Sequence, residues 1–325
     1  MKKILTWILL FILLFSASLG YVVNRPLALP AMPFEFSIAA GSSLKSVAHQ
    51  LAQAQFLQQE TLFIVMARVL GKADKVKVGD YALTHPVSML ELLAIISKGQ
   101  VQQSQISAIE GWSFKQFRAV IDAHADLKHT TQEMTATQIL QAIGATETHP
   151  EGLFFPDTYF FAKGSSDVQI YQRAYQTMQQ HLNAAWASRE VELPLHTPYE
   201  ALTLASIVEQ ETGTPSDRAL IAGVFINRLR LGMLLQTDPT VIYGMGEKFD
   251  GNIRRNDLTR DTPYNTYTRG GLTPTPIALP GVASLQAALH PAKTDALYFV
   301  ARGDGSSKFS SSLSEHNRAV NQYQK

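Results

Sequence analysis

An unbroken apolar run opens the chain. Residues 4–23 contain no charged side chain, and Lys2 and Lys3 precede them. A helix of about twenty apolar residues can cross the ~30 Å hydrocarbon core of a bilayer. The pattern therefore predicts a transmembrane anchor over residues 4–23, with residues 1–3 in the cytoplasm because the preceding lysines favour that side. The alternative is a cleaved signal peptide ending near Ser18, although the apolar run continues beyond that site.

A proline-punctuated linker over residues 24–33 leads into a region of shorter patterns. Between residues 34 and 104, one run alternates apolar and polar positions, and longer runs repeat apolar positions at helical spacing. The predicted elements are a strand at 34–38, helices at 44–52 and 59–70, a strand at 81–83 and a helix at 89–98 behind Ser88. The strand-helix-helix-strand order resembles a LysM module, a glycan-binding fold. Residues 34–104 are therefore predicted to form a small LysM-like α/β module.

The sequence pattern changes over residues 105–325, which have longer helical runs and several loops rich in proline and glycine. The predicted elements are a strand at 106–109, helices at 114–123, 168–187, 199–212 and 218–231, a hairpin from 297–301 to Lys308, and a last helix behind Ser314. The predicted fold class is therefore α+β. It combines an N-terminal transmembrane helix, a small LysM-like α/β module and a larger mixed α+β domain.

Composition removes several classes of chemistry. The chain has no cysteine, a formal net charge of +1 and no cluster of lysine and arginine, which excludes thiol chemistry and argues against a nucleic-acid partner. It lacks the GxSxG, HExxH and P-loop motifs, and its nine histidines have no metal-ligand spacing. We therefore predict neither a metal nor a cofactor. Carboxylate chemistry remains, with polar and aromatic residues of the kind that bind carbohydrates.

Two carboxylates lie near the end of one apolar helical run, LASIVEQETG at residues 204–213. On a helical wheel Glu209 shares a face with small residues, and Glu211 shares a face with large aliphatic ones. The small residues are Ala205, Ser206 and Gly213, and the large ones are Leu204 and Ile207. Small neighbours leave room for a sugar, so Glu209 is the stronger candidate for a general acid, above a cleft floor formed by those three residues. The alternative is that both glutamates are solvated residues at a helix end.

Longer motifs give the chain a specific resemblance. LASIVEQETG is followed by VFINRLRLGMLLQTDPTVIYGMG, YNTYTRGGLTPTPIALPG, AALHPAKTDALYFVARGDG and FSSSLSEHNRAVNQY, in that order. EGWSF at 110–114 and EGLFFPDTYFF at 151–161 precede them. Together these segments resemble the endolytic murein transglycosylases, the MltG or YceG-like family. The resemblance covers most of the chain from Glu110 to the C-terminus, and residues 105–325 are accordingly identified as a YceG-like catalytic domain.

The resemblance implies an enzyme, a lytic transglycosylase that cleaves the MurNAc–GlcNAc β-1,4 bond within nascent peptidoglycan strands. The 6-hydroxyl of the sugar attacks its own anomeric carbon and leaves a 1,6-anhydroMurNAc end, so one acid can serve where hydrolysis needs two. The catalytic glutamate of the family is the first acid of its motif, which corresponds to Glu209. His290 and His316 also match family positions, and we expect both to be structural.

Five further positions are candidate substrate contacts. Gln236 and Asp238 belong to a QTDP motif, in which Asp238 before a proline is also a good helix N-cap and Gln236 is the stronger candidate for a sugar contact. Tyr264, Asn265 and Tyr267 lie in a loop rich in glycine and proline. Tyrosine can stack on a sugar face, and Asn265 could hold an N-acetyl group. Rigidification of the loop is an equal alternative for all three.

The expected partners are peptidoglycan glycan strands and, through the N-terminal helix, the bacterial inner membrane. Peptidoglycan synthases are candidate partners. This reading has the N-terminus in the cytoplasm and the catalytic domain in the periplasm, with a role in terminating or trimming strand elongation and in cell wall organisation. Two alternatives stay open: a hydrolytic muramidase that uses Glu209 with Asp238 as its second acid, and a non-catalytic glycan-binding scaffold.

Overall fold

The computed structural model describes residues 2–31, 34–39, 41–99, 103–212 and 214–324. Residues 32–33, the last two of the predicted linker, lie outside the described residues. The chain divides into two compact units: residues 1–104 with 160–164, and residues 105–159 with 165–325. Small two-stranded sheets accompany the helices, so the described chain has a mixed α+β fold.

The first unit contains an antiparallel strand pair and four helices. Its elements are α1 Lys2–Asn24, β1 Phe34–Ile38, α2 Leu44–Gln53, α3 Glu60–Val69, β2 Gly79–Leu83 and α4 Met89–Lys98. Strand β1 alternates buried and exposed positions, and its Phe36 pairs with Tyr81 of β2 and stacks on that ring. Ser88 caps α4 as predicted, and Ser43 caps α2. These caps are local signals, which explains why the sequence places these two helices well.

The predicted N-terminal helix is present as α1, which is 23 residues long. Val22, near its end, packs against the core of the first unit. Within the part of the chain that the structure describes, no helix has the length and apolar character needed to cross a membrane. The membrane anchor and its orientation stay predictions.

Most helices follow residue 103. The elements are β3 Gln103–Ser107, α5 Phe114–Asp122, α6 Ala136–Ala142, β4 Thr158–Ala162, α7 Asp167–Ala187, α8 Pro198–Glu211, α9 Arg218–Arg230, α10 Asp238–Met245, a 3₁₀ turn Gly246–Lys248, α11 Arg255–Thr259, α12 Val282–Leu289, β5 Tyr298–Ala301, β6 Ser307–Ser310 and α13 Leu313–Tyr323. Strand β3 pairs with β4, and β5 pairs antiparallel with β6 as the predicted hairpin.

Helix α8 forms the centre of the second unit. Residues 201–208 are all buried, so the helix is enclosed on every side, and it packs against α7, α9 and α12. Gly223 of α9 allows a close approach nearby, because a Cβ there would lie 2.6 Å from the carbonyl oxygen of Ala292. This packing fixes the last turn of α8, where the two candidate acids lie.

Several predicted boundaries differ from the structure by one to three residues. Helix α13 has Ser312 as its N-cap, whose hydroxyl accepts the N–H of Glu315, so the prediction of Ser314 as the cap is wrong. The strand predicted at 106–109 lies earlier, at Gln103–Ser107, where it pairs with β4. The short helices α6, α10, α11 and α12 have too few turns to show a clear apolar periodicity in the sequence.

Candidate active site

Helix α8 carries both candidate acids in its last turn. It begins with Thr197 as its N-cap, whose hydroxyl accepts the N–H of Glu200 at 3.1 Å, and with Pro198 at its first position. Glu209 and Glu211 lie at the other end, where the helix dipole is unfavourable for negative charge. The two acids have different surroundings.

Glu209 is enclosed by donors of the protein itself. Its side chain is 7% exposed, its Oε2 accepts the backbone N–H of Gly281 at 2.9 Å, and Arg218 lies 3.7 Å from its Oε1. Glu110 lies nearby, and burial together with the charge of Glu209 raises the pKa of Glu110, against a smaller opposing effect of Arg218. Both oxygens of Glu209 therefore face partners inside the fold.

Gly281 permits this arrangement because it has no side chain. A Cβ at this position would lie 1.7 Å from a carboxylate oxygen of Glu110, so any larger residue would displace its neighbours. Main-chain hydrogen bonds of 2.7 and 2.9 Å between Leu279 and residues 111–112 fix the same segment. The surroundings of Glu209 are thus a packed junction of separate chain segments.

The prediction that the small residues of α8 form the floor of a cleft is wrong. Ala205 and Ser206 are fully buried, and the Ser206 hydroxyl accepts the N–H of Ile277 at 2.9 Å. The backbone of the segment that contains Ile277 fills the space beside these small side chains, as close packing of a protein interior requires. Gly213, the third residue of that prediction, lies outside the described residues.

Glu211 is placed differently. The hydroxyl of Thr237 donates to its Oε1. Burial raises the pKa of Glu211, the Thr237 hydrogen bond opposes that rise, and the charge of Asp238 adds to it. A carboxyl with a raised pKa keeps its proton to higher pH, which is the property that a general acid needs.

Glu211 lines a cleft of 810 Å³ in the second unit, a size typical of ligand-binding clefts. One wall is formed by the loop before α10 together with Tyr267, and the other by the β5–β6 hairpin and α13. The cleft brings Gln236, Asp238 and Tyr267 together with Glu211. The described residues that line it do not include Glu209.

The QTDP segment is shaped by contacts with a neighbouring loop. Gln236 has a backbone φ of 50°, which residues other than glycine rarely adopt, and its N–H donates to the carbonyl oxygen of Thr266 at 3.1 Å. The carboxylate of Asp238 accepts the Tyr267 hydroxyl at 2.5 Å. Thr237 is the N-cap residue of α10, so the predicted capping role of Asp238 is wrong, because its side chain is directed to Tyr267.

Tyr264 and Asn265 do not line the cleft. Asn265 is 1% exposed, and its amide donates to three main-chain oxygens within residues 257–260 at 2.7 to 3.1 Å. The Tyr264 hydroxyl pairs with Thr275 at 3.0 Å, and its ring packs edge-on against Tyr243. Of the two predicted roles for this pair, the geometry favours rigidification of the loop. The buried amide of Asn265 is already engaged and is not available to an N-acetyl group.

Sequence reasoning assigns no substrate-site role to three residues of the cleft: Arg228, Tyr298 and His316. The guanidinium of Arg228 lies 5.1 Å from the centre of the Tyr298 ring, and the His316 ring stacks on Tyr298 at 5.2 Å. His316 thus lines the cleft, where the sequence indicated only a structural role. The segments that carry these residues are within motifs of the resemblance, but their meeting depends on how distant parts of the chain pack.

The cleft combines groups that suit a polar polymer. Glu211 provides a carboxyl that can deliver a proton, and Gln236 and Tyr267 provide amide, hydroxyl and aromatic surface. Over the described ranges, no group of three or more histidine, aspartate or glutamate side chains is positioned to hold a metal ion. The arrangement is therefore equipped for proton transfer to a carbohydrate.

Comparison with known proteins covers nearly the whole chain. Residues 36–322 match the sequence profile of the YceG-like family. The endolytic murein transglycosylase of Bacillus subtilis (strain 168) is 33% identical over 306 residues, which cover 88% of this chain and 84% of the relative. The endolytic murein transglycosylase of Streptococcus pneumoniae serotype 2 (strain D39 / NCTC 7466) is 26% identical over 352 residues, which cover 96% of this chain and 63% of the relative.

A solved structure supports the same grouping. The crystal structure of a YceG-like protein from Listeria monocytogenes matches 87% of this chain and 97% of its own, with a TM-score of 0.53 and 28% identity. The motifs of the C-terminal two thirds, the family profile and this structural match agree. The chain belongs to the YceG-like family.

Proposed function

We propose that the protein is an endolytic peptidoglycan transglycosylase. Membership of the YceG-like family and the names of its relatives support this class of reaction. The observation that carries the proposal is the position of Glu211, a carboxyl with a raised pKa on the wall of a large cleft. The substrate is the glycan strand of peptidoglycan.

Bond cleavage needs a proton for the leaving oxygen. Glu211 donates its proton to the glycosidic oxygen of the MurNAc–GlcNAc β-1,4 bond as the bond between that oxygen and the anomeric carbon breaks. The 6-hydroxyl of the same MurNAc then attacks the anomeric carbon, and the Glu211 carboxylate takes the proton of that hydroxyl. The products are a 1,6-anhydroMurNAc end and a GlcNAc with a free 4-hydroxyl, and the acid is regenerated.

The internal nucleophile explains why one acid is enough. Hydrolytic glycosidases need a second carboxylate as base or nucleophile, whereas a hydroxyl on the same sugar is held at a high effective concentration. Asp238 lines the same cleft but accepts the Tyr267 hydroxyl. In the proposed mechanism its charge helps to keep Glu211 protonated, and it does not itself attack the sugar or activate water.

This proposal assigns the general acid to Glu211 instead of Glu209, the residue that the sequence resemblance implies. Both acids are largely buried, but Glu209 accepts the N–H of Gly281 and lies beside Arg218, whereas Glu211 lines the described cleft. A general acid must reach the glycosidic oxygen within about 3 Å, and the cleft gives that access to Glu211. We assign Glu209 to the packing of α8 against the segment that contains Gly281.

Gln236 and Tyr267 are the proposed sugar contacts. Gln236 is exposed on the cleft wall, at a backbone φ of 50°. The Tyr267 ring can stack on a sugar face, while its hydroxyl is oriented by Asp238. Tyr264 and Asn265 support the loop that carries Tyr267.

The cellular setting is part of the same proposal. Cleavage within nascent strands would terminate or trim their elongation, and the synthases that make these strands are candidate partners. Attachment of α1 to the inner membrane, with residues 105–325 in the periplasm, would keep the cleft close to new strands. A LysM-like role for residues 34–104 would add glycan affinity.

The test is a digest of purified glycan strands with the full chain, with product ends identified by mass spectrometry. We expect internal cleavage, 1,6-anhydroMurNAc ends and no incorporation of water, and cleavage about a thousandfold slower in the Glu211→Gln variant. Reducing MurNAc ends would contradict the transglycosylase and favour hydrolysis with Asp238 as the second acid. Absence of cleavage by the folded wild-type protein would contradict both enzymes and favour a glycan-binding scaffold.

A further inference from the structure

Arg228 is a buried cation whose partners are all uncharged. Its side chain donates from Nε to the carbonyl oxygen of Leu297 at 2.7 Å. Nη1 donates to the carbonyl oxygens of Leu234 and Leu235 at 3.1 and 2.8 Å, with a longer contact of 3.5 Å to Gln236 Oε1. Nη2 has no hydrogen-bond partner among the residues that the structure describes. The residue is 7% exposed.

A guanidinium in this state is incompletely satisfied. The carbonyl oxygens occupy one edge of the group and neutralise none of its charge, and a buried charge without a counter-ion is costly. Buried arginines commonly face carboxylates or phosphates, because the planar fork of donors matches those groups. In the described part of the chain, no ion pair involves Arg228. A ligand is therefore the natural source of the missing negative charge.

The surroundings of Arg228 contain a second unsatisfied polar group. Tyr298 lies against both the guanidinium and the stacked ring of His316. The Nδ1 atom of His316 is buried and has no hydrogen-bond partner within the described ranges. Burial and the charge of Arg228 lower the pKa of His316, so its imidazole is neutral at physiological pH and adds no second positive charge. All three residues line the cleft that holds Glu211.

The acids of the cleft do not fill this role. Asp238 is bonded to Tyr267, and Glu211 is bonded to Thr237 and resists ionisation because it is buried. Neither is ion-paired with the guanidinium. The cleft thus has a proton donor at one position and an unpaired cation at another, which is the layout expected for a substrate that carries a negative charge away from the bond that is cleaved.

We propose that Arg228, supported by Tyr298 and His316, is a carboxylate-binding subsite of the substrate cleft. Nη2 donates to one oxygen of the ligand carboxylate, and the Tyr298 ring, stacked on the neutral imidazole of His316, packs against the guanidinium. The inference rests on the proposed function, because it concerns a substituent of the glycan strand. Each MurNAc bears a lactyl carboxyl group, which is either free or extended by a stem peptide that has free carboxylates of its own.

The direct test changes the substrate and leaves the protein intact. The kcat/KM of the full chain is compared on four strand preparations: strands with stem peptides, the same strands with peptide carboxyls converted to primary amides, strands stripped of peptides, and stripped strands with amidated lactyl groups. The first pair is the strands with stem peptides, before and after amidation, and the second pair is the stripped strands, before and after amidation. We expect amidation to lower kcat/KM roughly tenfold to a hundredfold, mainly through KM, in one of these two pairs. An effect in the first pair identifies a peptide carboxylate, and an effect in the second identifies the lactyl carboxylate. Equal kcat/KM within both pairs overturns the inference.

A variant pair ties the effect to the guanidinium. On the strands whose amidation lowers kcat/KM, Arg228→Gln should lower kcat/KM by the same factor as amidation does. Amidation should then have no further effect on this variant, whereas Arg228→Lys should retain part of the response to amidation. Arg230→Gln is the matched control, because Arg230 lies on the same helix, is exposed and donates only to the carbonyl oxygen of Glu192 at 3.2 Å. A folded Arg228→Gln variant with the full wild-type response to amidation contradicts the subsite. If that variant unfolds, the substrate comparison decides alone.

The two proposals fail in different ways. A folded wild-type protein that cleaves none of the four preparations contradicts the transglycosylase and with it the subsite. Cleavage of all four with equal kcat/KM and with anhydro ends leaves the transglycosylase supported and removes only the carboxylate subsite.

Discussion

The two acids at the end of α8 lie two residues apart and are both largely buried, but the groups that surround them differ. Glu209 meets a backbone N–H, an arginine and a neighbouring acid inside a packed junction. Glu211 meets one hydroxyl and lines a cleft, and burial raises its pKa. Both share the same helix and the same unfavourable end of its dipole. The difference teaches that the segments packed against a helix, and not the helix face alone, decide what surrounds each acid.

Loss of the acid proton from Glu211 is the largest expected effect. Glu211→Gln keeps the size and the acceptor for Thr237 but cannot protonate a glycosidic oxygen, so we expect kcat to fall about a thousandfold with KM little changed. The measurement is initial rate against strand concentration. Glu200→Gln, in the first turn of the same helix, is the matched control and should keep wild-type kcat. A Glu211→Gln variant with wild-type kcat would remove this residue from the mechanism.

Glu151 tests whether burial alone makes a carboxyl catalytic. It is 4% exposed, accepts the N–H of Phe114 and the hydroxyl of Tyr243, and burial raises its pKa from 4.5 to about 7. It does not line the cleft in the described structure. We therefore expect Glu151→Gln to change stability and to leave kcat within a few-fold of wild type.

The sign of the Glu151 effect follows from linkage. Between pH 4.5 and about 7 the folded state holds the proton that the unfolded state has released, so the free energy of unfolding falls as pH rises, by up to about 3 kcal/mol. Below pH 4.5 both states are protonated and the loss disappears. Denaturant unfolding at pH 4.5 and pH 8 should therefore show the Glu151→Gln variant gaining stability relative to wild type at the higher pH. A pH-independent difference would contradict the buried, protonated state.

Glu209 is expected to matter for stability more than for catalysis. Glu209→Gln can still accept the N–H of Gly281 but leaves Arg218 without its ion-pair partner, so we expect a loss of about 1–2 kcal/mol in the free energy of unfolding. Thermal unfolding measures the change. Arg218→Met should give a comparable loss, because it breaks the same pair from the other side. Unchanged stability in both variants would mean that the junction is not held by this pair.

The smallest effect concerns the charge of Asp238, which raises the pKa of Glu211. Asp238→Asn removes that charge, so Glu211 loses its proton at lower pH and the alkaline fall of kcat/KM moves to lower pH. At neutral pH we expect a reduction of less than about tenfold. Tyr267→Phe, which removes only the hydroxyl that Asp238 accepts, should leave the alkaline limb near its wild-type position. A shift to higher pH in Asp238→Asn would contradict the proposed role.

Local signals in the sequence predict much of the fold. The helices predicted at 89–98 and 114–123 are confirmed, and Ser88 and Ser113 cap them, because an N-cap acts on the residues that immediately follow it. The β5–β6 hairpin is also confirmed, since its turn is local. The N-cap of α10 shows where local signals fail. Asp238 before a proline has the local pattern of an N-cap, but Thr237 is the cap, and the Asp238 side chain accepts a hydrogen bond from Tyr267, which is distant in sequence.

The site is less predictable for the same reason. The wheel correctly separates the faces of Glu209 and Glu211, but it cannot show that Ile277 and Gly281 cover the face with small residues. Small side chains allow another group to approach a helix closely, and in this protein that group is the backbone near Ile277 and Gly281. Arg228 and His316 meet only through Tyr298, so no spacing in the sequence indicates the subsite they form.

The most direct test compares Glu209→Gln and Glu211→Gln on the same glycan strands, with folding verified by circular dichroism and with anhydro ends counted per unit time. We predict that Glu209→Gln, assayed well below its unfolding temperature, keeps kcat within about fivefold of wild type, while Glu211→Gln falls about a thousandfold. The reverse order, with a folded Glu209→Gln protein inactive and Glu211→Gln active, would contradict the assignment of Glu211 and return the acid to Glu209.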